Sequence, residues 1–531
     1  MQKTWILLVC LLFVLSTTTN ISAQSIRLES DANKVEKYMK TITAKELKDH
    51  LYILASDDYE GRETGTLGQK KAADYIARHF MKKGLSGPVK DNPNPYLQPI
   101  NFYGRYVSNV MVSSPNATWS LGRDFVTRSI SDLEVENAGL VFIGYGLEKD
   151  GYNDLAGLDL KGKGVVMISG DAKGKDGEDL FEDLPSFRET YRALLDKGVK
   201  YLITMSPTEE EAQSRISLYG TGVTKPRLSL DQGNTRRASA PSIIASPSAV
   251  ARLFGESPAS FQKFLDKSIK KGKSMGGKYT TTASVKYDYR DGAIPSENVL
   301  GFMEGTDLKD EVLVITSHYD HVGVSYNGEI NNGADDDGSG TVSVLEMADA
   351  FAMAAEEGNR PRRSILFMTV TGEEKGLLGS RYYSDNPIFA LDKTVANLNI
   401  DMIGRVDPDR ADDPDYVYII GSTMLSSDLH NISEAVAGKF VKDLELDYKY
   451  NSKDDPNRFY YRSDHYNFAK HNIPIIFYFN GTHEDYHRPS DTPDKIEYEI
   501  MEKRAQLVFV TAWELANRSK APVVDQVDND D

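Results

Sequence analysis

Short apolar runs recur along the second half of the chain, each closed by a glycine or a polar turn. Segments 312–315, 364–370, 395–400 and 473–479 are rich in β-branched and aromatic residues, show no polar alternation and are too short for helices. They read as strands buried on both faces. Between and after them, apolar residues spaced three and four apart predict helices over 339–357, 426–440, 463–471 and 492–517. Strands alternating with helices predict an α/β fold, a mixed central sheet with helices on both faces.

The first part of the chain adds helices at 36–55, with Thr43 capping the turn Ala44-Lys45-Glu46, and at 68–83. The intervening Ala55-Ser56-Asp57-Asp58-Tyr59-Glu60-Gly61-Arg62 fits either a capped turn or a segment beside a site. From about 120 to 282 the pattern changes to strands at 139–146, 165–168 and 200–204, glycine-rich turns and a helix at 186–197. A strand over 296–303 then resumes the first pattern. We therefore expect one discontinuous domain, 24–119 with 283–519, an insert at 120–282, and a disordered acidic tail at 520–531.

Residues 5–15 are eleven apolar positions behind Lys3, followed by a Ser/Thr-rich stretch ending Ile21-Ser22-Ala23. This is the pattern of a signal peptide over 1–23, well short of the ~20 residues a membrane span needs. It predicts export to the periplasm or the medium without a stable membrane anchor. The single cysteine, Cys10, lies inside it, so the mature chain would carry no disulfide and its strong metal ligands would be His and carboxylates. Losing Lys3 takes the net charge from −17 to −18. Such acidity excludes nucleic acid as a partner, which demands clustered positive charge.

Candidate chemistry sits where the strands stop. The run 312–315 leads into Ser317-His318-Tyr319-Asp320-His321, then into the turn Ala334-Asp335-Asp336-Asp337-Gly338-Ser339-Gly340. The run 364–370 ends at Thr371-Gly372-Glu373-Glu374, 395–400 at Asp401, and 473–479 leads to Tyr486-His487. A calcium loop with Gly338 as its sixth residue would need ligands at Gly333 and Val344, which cannot serve. The glycines near Tyr145 and Lys163 match neither a dinucleotide nor a phosphate-binding fingerprint. In an open α/β sheet, groups beyond the carboxyl ends of strands converge. Two His and three acidic donors suit a pair of metal ions bridged by one carboxylate, zinc first, with cobalt or manganese as substitutes.

These five ordered motifs resemble the co-catalytic dizinc aminopeptidases, the bacterial leucyl aminopeptidase-like family related to glutamate carboxypeptidase and transferrin receptor ectodomains. The resemblance runs from about 47 to 517, interrupted by an insert that resembles a mainly β protease-associated (PA) domain. It implies a zinc-dependent exopeptidase fold of the phosphorylase/hydrolase-like kind. It also implies two Zn²⁺ held by His318, Asp336, Glu374, Asp401 and His487, with Asp336 bridging; the residues alone leave Asp335 and Asp337 open. His318 and Asp401 would complete one metal, Glu374 and His487 the other. Glu373 would be general base to a bridging water and Tyr486 a donor to the oxyanion, while Asp320 and Asp491 would orient the imidazole ligands. The other histidines are expected at the pocket rim (His321, His465, His483) or in structural roles (His50, His79, His430, His471). The implied activity is release of an amino-terminal residue from a peptide with a free amino terminus. A metallo-carboxypeptidase or dipeptidase, a glutaminyl cyclase-like acyltransferase with one zinc, and a non-catalytic receptor-like relative are the alternatives.

Overall fold

The computed structural model describes residues 26–127, 134–149, 151–170, 186–220, 224–231, 242–325 and 327–526. The expected signal peptide lies outside the described residues. Among them, no helix is long and apolar enough to cross a membrane.

Fifteen of the strands form one continuous mixed sheet, and Glu148–Lys149 with Tyr152–Asn153 form a separate two-stranded one. In its centre Arg363–Val370, Leu308–His318, Thr394–Ile400 and Ile475–Phe479 lie side by side and parallel. Every residue of Arg363–Val370, Thr394–Ile400 and Ile475–Phe479 is buried, as their lack of polar alternation requires. Antiparallel neighbours, Thr280–Met303 and Tyr416–Ile420, flank these four. Because the four point the same way, all their carboxyl ends open on one rim.

Helices cover both faces. Gly340–Glu356 is buried almost all round; its Phe351 packs against Phe509 and Trp513 of Tyr498–Asn517, ring centroids 5.0 and 5.5 Å apart. The helix expected over 36–55 is two, Ala32–Met39 and Ala44–Leu54, divided where the Thr43 hydroxyl accepts from the Glu46 amide at 3.3 Å. His50 and His79 meet Glu346 and Asp349 of the buried helix and tie the helical layer together. The helix expected over 463–471 shrinks to the single turn Tyr466–Ala469.

Three features concern the insert and the tail. The insert is not mainly β: Glu134–Phe142, Gly164–Ile168, Tyr201–Met205 and Ser242–Ala245 are parallel, and parallel strands need crossovers. Helices Phe187–Asp196, Glu209–Tyr219, Pro247–Leu253 and Pro258–Lys270 accompany them, capped by Ser186, Thr208, Ser246 and Ser257. Near the insert's expected edges at 120 and 282 two long strands pair. Leu97–Ser113 pairs with Thr280–Met303 from Leu97↔Val299 to Ser113↔Ser284. The insert's core already holds Val107 and Val112 and continues through Val285 and Tyr287. The join therefore runs along two shared strands. Finally, within the described part of the tail Asp525 accepts from the Ser427 amide at 2.9 Å.

Candidate metal centre

The site forms where the four parallel strands end. Leu308–His318 terminates on His318 itself, Thr394–Ile400 on the residue before Asp401, and Arg363–Val370 three residues before Glu373. Met402 and His487 take left-handed backbone angles (φ 61° and 55°), uncommon for non-glycine residues and found where a site holds them.

Of the three consecutive aspartates, Asp336 is the one whose carboxylate faces His318 and His487. Its Oδ1 lies 3.2 Å from His318 Nε2 and its Oδ2 3.0 Å from His487 Nε2, so one carboxylate spans two halves. Asp337 is consumed by backbone: its oxygens accept from the amides of His318, Gly340 and Met402 at 2.9–3.1 Å. Asp335 accepts from the Gly404 amide at 2.6 Å and meets His483 Nε2 at 3.2 Å. Asp335 and Asp337 thus accept from backbone amides, while Asp336 Oδ2 is left without a hydrogen bond.

In the first half, His318 Nδ1 donates to the Asp320 carbonyl at 3.0 Å, which turns Nε2 toward Asp336, Asp401 Oδ1 (3.5 Å) and Glu373 Oε2 (3.8 Å). Ser463 donates to Asp401 Oδ2 at 2.6 Å and aims the other oxygen. In the second half, Glu374 Oε2 lies 3.0 Å from His487 Nε2 and Oε1 3.0 Å from His321 Nδ1. Adjacent glutamates therefore face opposite halves. Tyr486 stacks on His487, centroids 3.9 Å apart, and shares a cleft with Asp336, Glu373 and Asp401. The cleft wall adds Met402, Phe459, Phe477 and Phe479, with Arg462 beside them.

Electrostatics follow from this crowding. Burial opposes ionisation of Asp336, but His318, His321 and His487 hold it well below the usual carboxylate range. Glu374 is likewise pushed down to about 2: burial and Asp336 raise it, and the imidazoles of His321 and His487 outweigh both. Burial lowers His487, yet Asp336 and Glu374 raise it to about 10. Burial pushes Glu373 well up; His318 opposes this, and Asp401 and Glu374 reinforce it.

Asp320 and Asp491 make the following contacts. The Asp320 carbonyl is at hydrogen-bond distance from the His318 ring; its carboxylate lies 3.9 Å from His318 Nδ1 and accepts from Thr64 (2.7 Å) and the Glu373 amide (3.2 Å). Asp491 orients no imidazole of the centre but accepts from the amides of Asp335 and Asp336 at 3.0–3.2 Å, fixing the bridging turn. Nor are His321, His465 and His483 at the rim, since all three are buried. His465 stacks on Phe477 with centroids 4.6 Å apart.

Several contributors carried no readable sequence signal. Ser463 and Arg62 act through space on partners mostly dozens to hundreds of positions away, and the undecided segment 55–62 proves to be the one that delivers Arg62. Next to it Glu63 binds Lys375 and Lys225, the latter from the insert, both at 2.8 Å.

The donors fit cations. His321 Nδ1 and Nε2, Asp336 Oδ2 and Glu374 Oε1 are buried without hydrogen-bond partners, an arrangement that needs a further charged partner.

Residues 298–512 match the profile of peptidase family M28. Over 236 residues the chain is 28% identical to aminopeptidase YwaD of Bacillus subtilis, covering 43% of this chain and 46% of that protein. It is 29% identical over 213 residues to a probable leucine aminopeptidase of Arthroderma otae, covering 39% and 55% respectively. The chain thus spans about half the length of these curated relatives. Among solved structures, an aminopeptidase from Aneurinibacillus sp. strain AM-1 shares the fold with a TM-score of 0.56 and 20% identity, over 93% of this chain and 98% of that one. A zinc aminopeptidase from Bacillus subtilis does so with 0.55 and 20%, over 92% and 98%.

Proposed function

From the match of residues 298–512 to peptidase family M28, we propose that the protein is an exported zinc aminopeptidase that removes amino-terminal residues from peptides at a two-zinc centre. The observation that carries this is Asp336, one carboxylate with an imidazole 3.2 Å from one oxygen and another 3.0 Å from the other.

His318 and Asp401 with Asp336 Oδ1 would hold one cation; Glu374 and His487 with Asp336 Oδ2 the other. When bound, such a pair supplies Lewis-acid polarisation of the scissile carbonyl and acidifies water at neutral pH. Glu373 takes the proton of the attacking water as the C–O bond forms and returns it to the amine as the C–N bond breaks. Tyr486 donates to the oxygen on which negative charge develops. The carboxylates of Asp401 and Glu373 give a free α-amino group complementary charge. The aromatic wall of Phe459, Phe477 and Phe479 suits an apolar side chain beside it.

A panel of amino-free and amino-blocked chromogenic peptides, assayed with and without chelator, tests the reading. Cleavage lost on blocking and on chelation is expected. Arg462 in the cleft wall offers a cation to a free carboxylate, so cleavage of blocked peptides from their carboxyl end would select the carboxypeptidase reading instead.

A further inference from the structure

His321 is a fully buried imidazole whose two nitrogens both lack a hydrogen-bond partner among the described residues. That is an expensive arrangement for a polar ring inside a protein. Its position is enforced. The His321 amide donates to the Arg62 carbonyl at 3.3 Å, and the ring occupies space that only a glycine at 333 leaves open, since a Cβ there would lie 2.5 Å from its Cγ. Nδ1 sits 3.0 Å from Glu374 Oε1 and 3.6 Å from Asp336 Oδ2. Both oxygens are themselves without hydrogen bonds, and the 3.0 Å approach is misaligned for one. Three lone-pair atoms so spaced match donors around one tetrahedral cation with bonds of about 2.1 Å, which stand roughly 3.4 Å apart.

We propose that His321 is a fourth protein ligand of the second cation, joining Asp336, Glu374 and His487. The inference rests on the two-cation reading above and makes the halves unequal. The second half has four protein donors, the number that closes a structural zinc site; the first, with His318, Asp401 and Asp336, has three and keeps a position for substrate. The second cation is accordingly the tightly held one.

The test uses the full-length chain loaded with zinc. Stoichiometry is measured first by elemental analysis: a wild-type chain that saturates at one zinc overturns the two-cation reading, and this assignment with it. With two bound, X-ray absorption counts imidazoles per metal. Three histidines over two zincs give about 1.5, and His321→Ala lowers this to about 1.0. Competition with a chromophoric chelator should show the tighter site of His321→Ala and His321→Gln weakened more than about 100-fold, beyond the loss typical of an outer partner, with the other site unchanged. A wild-type count of about 1.0, or a tighter site unaltered in both variants, overturns the assignment while leaving two-metal hydrolysis intact.

Discussion

Arg62 Nη2 donates to the Gly333 carbonyl at 2.8 Å, while the same guanidinium reaches the carbonyls of Tyr319, Asn332 and Leu54 at 2.6–2.9 Å. One buried cation thereby clamps the turn after His318 to the turn before Asp336. Arg62→Leu would leave four carbonyls without that donor. Loss of about 3–5 kcal/mol of stability is expected, read as a lowered urea midpoint.

Glu373 faces the first half of the centre from 3.8 Å without being needed to fill the second. Glu373→Gln should lower kcat by about 10²–10⁴-fold with bound zinc unchanged by elemental analysis. Asp336→Ala should instead lose metal, since its carboxylate is shared by both halves. Undiminished turnover by the glutamine variant would remove the proposed base.

The Tyr486 ring is positioned by stacking on His487, so loss of its hydroxyl alone should not move the ring. Tyr486→Phe is expected to lower kcat about 10²-fold with little change in KM, the mark of a hydrogen bond made only to developing charge. A purely raised KM would assign the tyrosine to substrate binding.

Asp491 holds two amides of the bridging turn rather than a ligand ring. Asp491→Ala should weaken zinc binding by about 10–100-fold in chelator competition, acting through the backbone that aims Asp336.

His465 is fully enclosed against Phe477, and burial lowers its pKa from 6.5 to about 3. The folded state holds the ring neutral, while the unfolded chain binds a proton below about 6.5. Its contribution to stability is therefore complete above that pH and falls by about 1.4 kcal/mol per unit as pH drops toward 3. Urea unfolding at pH 7, 6 and 5 should show a slope reduced by about one proton in His465→Phe; parallel profiles would refute it.

Local pattern accounts for much of this architecture. Unbroken apolar runs could only be doubly covered strands, and a strand's carboxyl end is fixed by where its run stops, so His318, Glu373, Glu374, Asp401 and His487 could be assigned to one rim from the chain alone. Helix ends were legible where a hydroxyl capped them, as at Thr43 and Ser186. The insert was less so: its additional helices alternate with short strands, and its edges lie along strands shared with the main domain, where no turn marks a boundary.

Hydrophobic periodicity and chain direction are local properties, and they suffice to read an α/β sheet with its chemistry at strand ends. Which neighbour each carboxylate and imidazole meets is set in three dimensions. Asp335, Asp336 and Asp337 are chemically identical neighbours, and three-dimensional contacts alone spend one on Gly404 and His483, one on three amides, and leave the third for the histidines. His321, three residues from His318, faces the opposite half of the site for the same reason: side-chain direction at a turn is set by what packs around it, here Gly333, twelve positions on, and Arg62, which lies far away along the chain.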